Sequence, residues 1–289
     1  MKKYIHYLYV ILGAACWGVI GLFTRTLGEL GVGVFQRVTI RNFGALVVMT
    51  LVFAFTRRQV FRIKARHLPL FMGSGLLSVQ GMTLCLFICQ NECSLAVSGI
   101  LLYLAPSFVV LMGAVLWKAP ITRRKLAALV LAFAGCVLVS GIMSGSLTVS
   151  ALGLAAGIAS GLCYATYTVF AHYALEHYES LTMTYWTFVF AGLGSLLFWD
   201  TDVLTAVFTT PSGIVNALGL IVVATVLPYL LYTKGLEGVE SGKASIMANV
   251  EPVVGALVGV FVFGEVLSIW VILGVVCMLA GVILLAKEN

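Results

Sequence analysis

With 289 residues, 61% of them hydrophobic and only 10% charged, and a mean hydropathy of +1.09, this chain has too little polar surface for a water-soluble domain. The formal net charge of +6 is bunched in short segments between long apolar blocks, which excludes a nucleic-acid-binding stripe. The blocks match a bilayer instead, since about 20 apolar residues cross a hydrocarbon core of about 30 Å.

In chain order the apolar runs predict an all-α integral membrane protein of ten transmembrane helices. These are α1 over 5–27, α2 over 34–56, α3 over 68–90, α4 over 95–117 and α5 over 124–143, then α6 over 152–175, α7 over 181–199, α8 over 213–233, α9 over 242–263 and α10 over 268–286. Continuous runs of this length exclude a β-barrel, whose strands alternate over short segments. Lys2 and Lys3 precede α1 as they would a signal peptide. The run continues through Phe23, however, with no small-residue cleavage site after a short core, so α1 is expected to be retained.

Basic residues gather at Lys2 and Lys3, between α2 and α3 (Arg57, Arg58, Arg62, Lys64, Arg66), and between α4 and α5 (Lys118, Arg123, Arg124, Lys125). The opposite connections of this half hold little beyond Arg25, Glu29 and Glu92. That asymmetry predicts a multi-pass cell-membrane protein with a cytoplasmic N-terminus, and ten spans return the C-terminus to the same side. Seven cysteines (Cys16, Cys85, Cys89, Cys93, Cys136, Cys163 and Cys277) lie in or at the ends of predicted helices and imply no disulfide framework. Cys85, Cys89 and Cys93 share one face of α3 without the partners of a metal motif, and read as small, soft packing residues. No metal or other cofactor is expected.

Displacing the chain by 146 residues sets Leu104-Ala105-Pro106 on Val250-Glu251-Pro252, and Gly135 on Gly281 in matching Ala-Gly-aliphatic contexts. Near the start of each half the displacement is 147, pairing Cys16-Trp17-Gly18 with Cys163-Tyr164-Ala165. Two five-helix repeats follow, 1–146 and 147–289. Five is odd, so the second repeat enters the membrane from the opposite side. Inverted repeats of this kind place a substrate site near the midplane of a secondary transporter. The alternative is a duplicated membrane protein that transports nothing.

The segment Ala248-Asn249-Val250-Glu251-Pro252-Val253-Val254-Gly255-Ala256-Leu257-Val258-Gly259 is followed by Phe263-Gly264-Glu265, Leu273-Gly274 and Ala280-Gly281-Val282. It resembles the closing helices of EamA-type members of the drug/metabolite transporter superfamily. Ala15-Cys16-Trp17-Gly18, Arg41 and Leu104-Ala105-Pro106 fit the family's pattern in the first half, while Ala119 stands where these repeats often carry an acidic residue equivalent to Glu265. The resemblance implies a ten-helix fold around a central cavity with both termini cytoplasmic. It also implies export of amino acids or other metabolites, or import of a small solute.

Glu251 is the first candidate for a role in transport. It falls about nine residues into α9, about 14 Å deep, where a carboxylate costs on the order of 3 kcal/mol and so faces a cavity or a partner. Such a group is placed to exchange protons, or alternatively to brace α9 beside Pro252. Asn249 of the same motif joins the candidate set. Arg41 in α2, with Arg37 one turn above, is placed to pair with Glu251 or to clamp a substrate carboxylate. Pro106 and Pro252 each free a backbone carbonyl and serve as hinges or static kinks. Trp17, Tyr164, Tyr167 and Gln80 sit at mid-depth as cavity walls or ordinary core. No dense aromatic cluster stands out along the chain, which counts against a cage for a quaternary ammonium group. Gly153, Gly157 and Gly161 on α6, and Gly255 and Gly259 on α9, form small-residue stripes for close helix packing. His172 and His177, with Glu176, read as interfacial groups.

The expected function is therefore secondary transport of a small metabolite by alternating access, an amino acid or related solute, most simply as an exporter. Proton coupling through Glu251 is one reading, and a purely structural carboxylate is the other. No Gly-x4-Gly-Lys-Ser/Thr loop is present to bind a nucleotide. Import, or flipping of a lipid-linked sugar, is the alternative within this class. A polytopic enzyme would need acidic and histidine groups clustered at one face, and Asp200, Asp202, His172 and His177 are too sparse for that. The expected partners are a small-molecule substrate and the lipid bilayer, with no nucleic acid, in a monomer or a homodimer.

Overall fold

The computed structural model describes residues 2–93, 95–139, 150–264 and 268–286. Glu265 and the last residues of predicted α5 lie outside these. Among the described residues every regular element is helical. Eight helices are long and apolar enough to cross a membrane: α1 (Tyr4–Glu29), α2 (Val34–Thr56), α3 (Ala65–Cys89), α4 (Val97–Trp117), α6 (Ala151–Leu175), α7 (Ser180–Phe198), α8 (Pro211–Leu236) and α9 (Ser241–Phe263). Two further helices, α5 (Arg123–Val139) and α10 (Ile269–Ala286), pack on each other. A short helix, Thr201–Thr209, precedes α8 and is capped by the Asp200 side chain, which accepts from the Val203 amide at 3.1 Å.

The halves interlock. α1 packs on α8 and α9, while α6 packs on α3 and α4; α2 pairs with α7, as α5 does with α10. Thus the first helix of each half lies against the third and fourth helices of the other. His6 Nδ1 lies 3.1 Å from the Lys234 carbonyl at the end of α8, and Ser150 Oγ donates to Glu92 Oε2 at 2.8 Å beyond the end of α3. α1 and α6 therefore start at opposite faces of the bundle. One face carries Arg57, Arg58, Arg62, Lys64, Arg66 and Lys118, and is called the basic face below.

Small residues set the closest crossings, where backbones approach without side chains between them. A Cβ on Gly18 would stand 2.6 Å from the Glu251 carbonyl oxygen, so α1 and α9 touch at that point. Gly153, Gly157 and Gly161 pack against Cys93, Cys89 and Leu101, which puts both the α6 stripe and the α3 cysteines inside the bundle. The repeat-matched glycines share a crossing as well: Gly135 faces Gly274 of α10, and Gly281 faces Ala128 of α5.

Three irregularities recur in both halves at the 146-residue displacement. α4 breaks between Leu102 and Ala105, and α9 between Met247 and Val250, each just before its proline, Pro106 or Pro252. Asn249 bridges the second break, its Nδ2 donating to the Ile246 carbonyl at 2.8 Å. α3 and α8 each contain widened turns with i→i+5 hydrogen bonds, over Gly73–Gly81 and Gly219–Val226. α4 and α9 both end on a left-handed residue, Gly264 at φ 67° and Lys118 at φ 54°. Only the glycine adopts that conformation without strain.

Candidate functional site

Two cavities lie on either side of an aromatic partition. The larger, about 760 Å³, opens at the face opposite the basic one, between α1, α2, α3 and α9; Arg25, Arg37, Arg41, Thr83, Gly255 and Phe263 are among its walls. The smaller is a closed pocket of about 10 Å³ lined by Tyr103, Pro106, Tyr164, Thr168, Tyr232, Ser245, Asn249 and Glu251. On the far side of the partition from the open cavity, the free space thus shrinks to this small pocket.

The partition is built on Trp17. Its ring meets Tyr229 at 5.1 Å, Tyr232 at 5.2 Å and Tyr164 at 6.4 Å between centroids, and Tyr167 meets Tyr229 at 5.1 Å. Edge-to-face pairs at these separations are mutually favourable beyond the area they bury. A dense aromatic cluster therefore exists, contrary to expectation. It is assembled in space from α1, α6 and α8, and the residues that complete it are Tyr229 and Tyr232 of α8. Their three-residue spacing, which puts both on one face of α8, was the available signal.

Glu251 is half-buried at the break in α9 and accepts hydrogen bonds from Tyr164 Oη, at 3.4 Å, and from Tyr103. A buried carboxylate needs such donors. Arg41 does not form the expected ion pair with it. The guanidinium instead lies beside Tyr229, with Nη2 3.5 Å from the phenol oxygen and the ring centroid 5.9 Å away. Tyr229 lies within electrostatic reach of both residues. Arg37 Nη1 donates to the Thr24 carbonyl at 2.8 Å.

The remaining candidates separate. Tyr164, Asn249 and Pro106 share the closed pocket with Glu251, and Pro252 is the next residue in the helix. Tyr167 is fully engaged, its hydroxyl 2.6 Å from Thr233 Oγ1. Gln80 is buried away from both cavities, accepting from Asn42 Nδ2 at 3.0 Å across α2 and α3.

Below the closed pocket, successive contacts shut the way to the basic face. Thr168 and Tyr232 hydroxyls meet at 3.1 Å, and Trp117 stacks on His172 at 4.2 Å. Between the end of α4 and the start of α5, Lys125 Nζ pairs with Glu240 and donates to the Pro120 carbonyl at 2.8 Å. His177 packs edge-on against His67 at the basic face.

Two stretches of the chain, 4–141 and 151–287, match the EamA-like transporter family. An uncharacterized transporter of Archaeoglobus fulgidus is 30% identical over 96% of this chain and 95% of its own length. The uncharacterized transporter YwfM of Bacillus subtilis is 26% identical over 99% and 95%, respectively. A crystal structure with a TM-score of 0.81 covers 98% of this chain and 96% of that one at 17% identity, and so shares the fold.

Proposed function

From the premise that the chain belongs to the EamA-like transporter family, we propose that it exports a small metabolite, an amino acid or related solute, across the cytoplasmic membrane by alternating access. The observation that carries this reading is the pairing of a large cavity open to one face with a closed pocket toward the other, Glu251 lying in the closed one. In this reading the chain has ten spans in two inverted units, 1–146 and 147–289, and the basic face, with both termini, is cytoplasmic. The state described is then the outward-open one. Two broken helices meeting near mid-depth, at Pro106 and Pro252, suit a site whose two sides open in turn.

Glu251 is the coupling residue in this proposal. It takes a proton when Tyr164 and Tyr103 are drawn away, and gives it up when they return to donate to the carboxylate. The test compares metabolites released by cells producing the wild-type protein with those producing Glu251→Gln at equal membrane abundance. Release of a solute by the wild type alone supports both transport and the role of Glu251. Equal release by the two proteins makes Glu251 structural and removes proton coupling. If neither protein releases a solute, export is wrong and uptake becomes the reading to test.

A further inference from the structure

The open cavity is more specific about its occupant than the transport reading on which this inference rests. Three arginines line it, Arg25, Arg37 and Arg41, and among the described residues no carboxylate does. Arg25 is balanced at the rim by Glu29, at 3.5 Å. Arg37 and Arg41 form no direct ion pair among the described residues: their polar contacts are the Thr24 carbonyl and the Tyr229 hydroxyl, both neutral. The Nε atoms of both are buried and have no hydrogen-bond partner.

Arg37 and Arg41 are one turn apart on the same face of α2, so their like charges also repel each other. Guanidinium groups partly withdrawn from water, as these two half-buried ones are, favour an anion beside them. A guanidinium presents a planar fork of donors that fits the two oxygens of a carboxylate. The rest of the wall is largely apolar, with Val38, Leu86, Phe87 and Val258 suited to the carbon body of a solute rather than to a hydrated inorganic ion.

We infer that the open cavity binds a small organic anion by its carboxylate, which Arg37 captures first and Arg41 then holds against the Tyr229 edge of the aromatic partition. The recognised group is the carboxylate, whether or not the solute also carries an amine. Arg41 is the seat from which the solute passes to the Glu251 side.

Two measurements on the full-length protein in proteoliposomes test this separately from transport. In the first, a cysteine replacing Val258 is modified by the anionic 2-sulfonatoethyl or the cationic 2-trimethylammonioethyl methanethiosulfonate, with labelling of the native cysteines subtracted using the parent protein. The anionic reagent is expected to react at least tenfold faster after correction for intrinsic reactivity, and Arg37→Gln with Arg41→Gln should bring the ratio near one. A ratio near one, or one favouring the cation, in the unsubstituted cavity overturns the inference.

In the second, vesicles loaded with a labelled cell-metabolite extract are assayed for released solutes by mass spectrometry. Carboxylates are expected to be released by the wild type, at least tenfold more slowly by Arg41→Gln, and at an intermediate rate by Arg41→Lys, which keeps the charge but loses the fork. Release confined to neutral or purely cationic solutes overturns the anion reading while leaving transport intact. Release of no solute removes the transport reading, and the labelling ratio then decides the anion site alone.

Discussion

Replacing Glu240 by glutamine removes the countercharge of Lys125, whose side chain is only 2% exposed while that of Glu240 is 34% exposed. Breaking a fully buried ion pair costs about 3–5 kcal/mol, and breaking an exposed one costs up to about 1 kcal/mol. The pair is buried at one end and wet at the other, and Pro120 still accepts from the ammonium, so a loss of about 2 kcal/mol is expected. Because the pair ties the α8–α9 connection to the start of α5, the loss falls on the state in which the basic face is shut. In population terms 2 kcal/mol is about 30-fold. Two readouts check it in detergent. The melting temperature should fall by about 4–8 °C, and a maleimide should modify Ser245→Cys in the closed pocket up to about 30-fold faster in the Glu240→Gln background. Lys125→Met combined with Glu240→Leu should recover most of the melting temperature, since neither residue is then a buried unpaired charge. A Glu240→Gln protein that melts within 1 °C of wild type, with Ser245→Cys no more reactive, would refute the assignment of this pair as a latch.

Three other outcomes follow from the geometry. Lys118→Gly should raise stability by about 1 kcal/mol, because the left-handed conformation at the end of α4 is strained for any residue with a Cβ; an unchanged or lower melting temperature counts against it. Gly18→Ala should cost about 1–3 kcal/mol by forcing α1 away from the Glu251 carbonyl, and wild-type melting of that variant would mean the two helices do not touch there. Glu237, 25% exposed and beyond the end of α8, shows the expected pH dependence. Burial pushes its carboxyl up, but hydrogen bonds from Lys234 and Ser180, with the Lys234 charge, outweigh this and leave it below its ordinary 4.5. Its stabilising contribution is present at neutral pH and lost as pH falls through the lowered value. Glu237→Gln should therefore melt lower than wild type at pH 7, and the gap should close as the pH falls through the lowered value; a gap that persists in strong acid assigns the effect to something other than ionisation.

The parts of the site that lie within one helix were legible from residue type and repeat position. Glu251 stood out because a carboxylate is costly at its depth, and Tyr164 because it falls near Trp17 when the halves are overlaid. Contacts between the halves were not legible. Tyr229 and Tyr232 acquire their importance from the α1–α8 crossing, which neither helix announces alone. The Arg41–Glu251 pairing was likewise not legible: depth alone put the two charges together, whereas Arg41 is taken up by Tyr229 of the other half. Gln80 shows the converse. A polar residue at mid-depth looks like a ligand for solute, yet its carbonyl accepts from the neighbouring Asn42 and neither cavity reaches it. Helix ends followed the apolar runs to within a few residues, but the breaks before Pro106 and Pro252 are deeper than single kinks. Each begins at least one residue upstream of the proline, where the carbonyls freed by the missing amide are turned aside.

The widened turns of α3 and α8 bear on how chain length varies among relatives. In an ordinary stretch of α-helix, losing one residue rotates everything beyond it by about 100° and turns a lipid-facing side chain toward the interior. In the segments Gly73–Gly81 and Gly219–Val226 the bonds already span one residue more than in an α-helix. Removing a residue there lets an i→i+5 bond become i→i+4, and both flanks keep their facing. A one-residue gap between a relative and this chain that falls in either window thus marks a turn that has narrowed, with the helix continuous through it. The same gap a turn outside the window changes which side chains meet the solute.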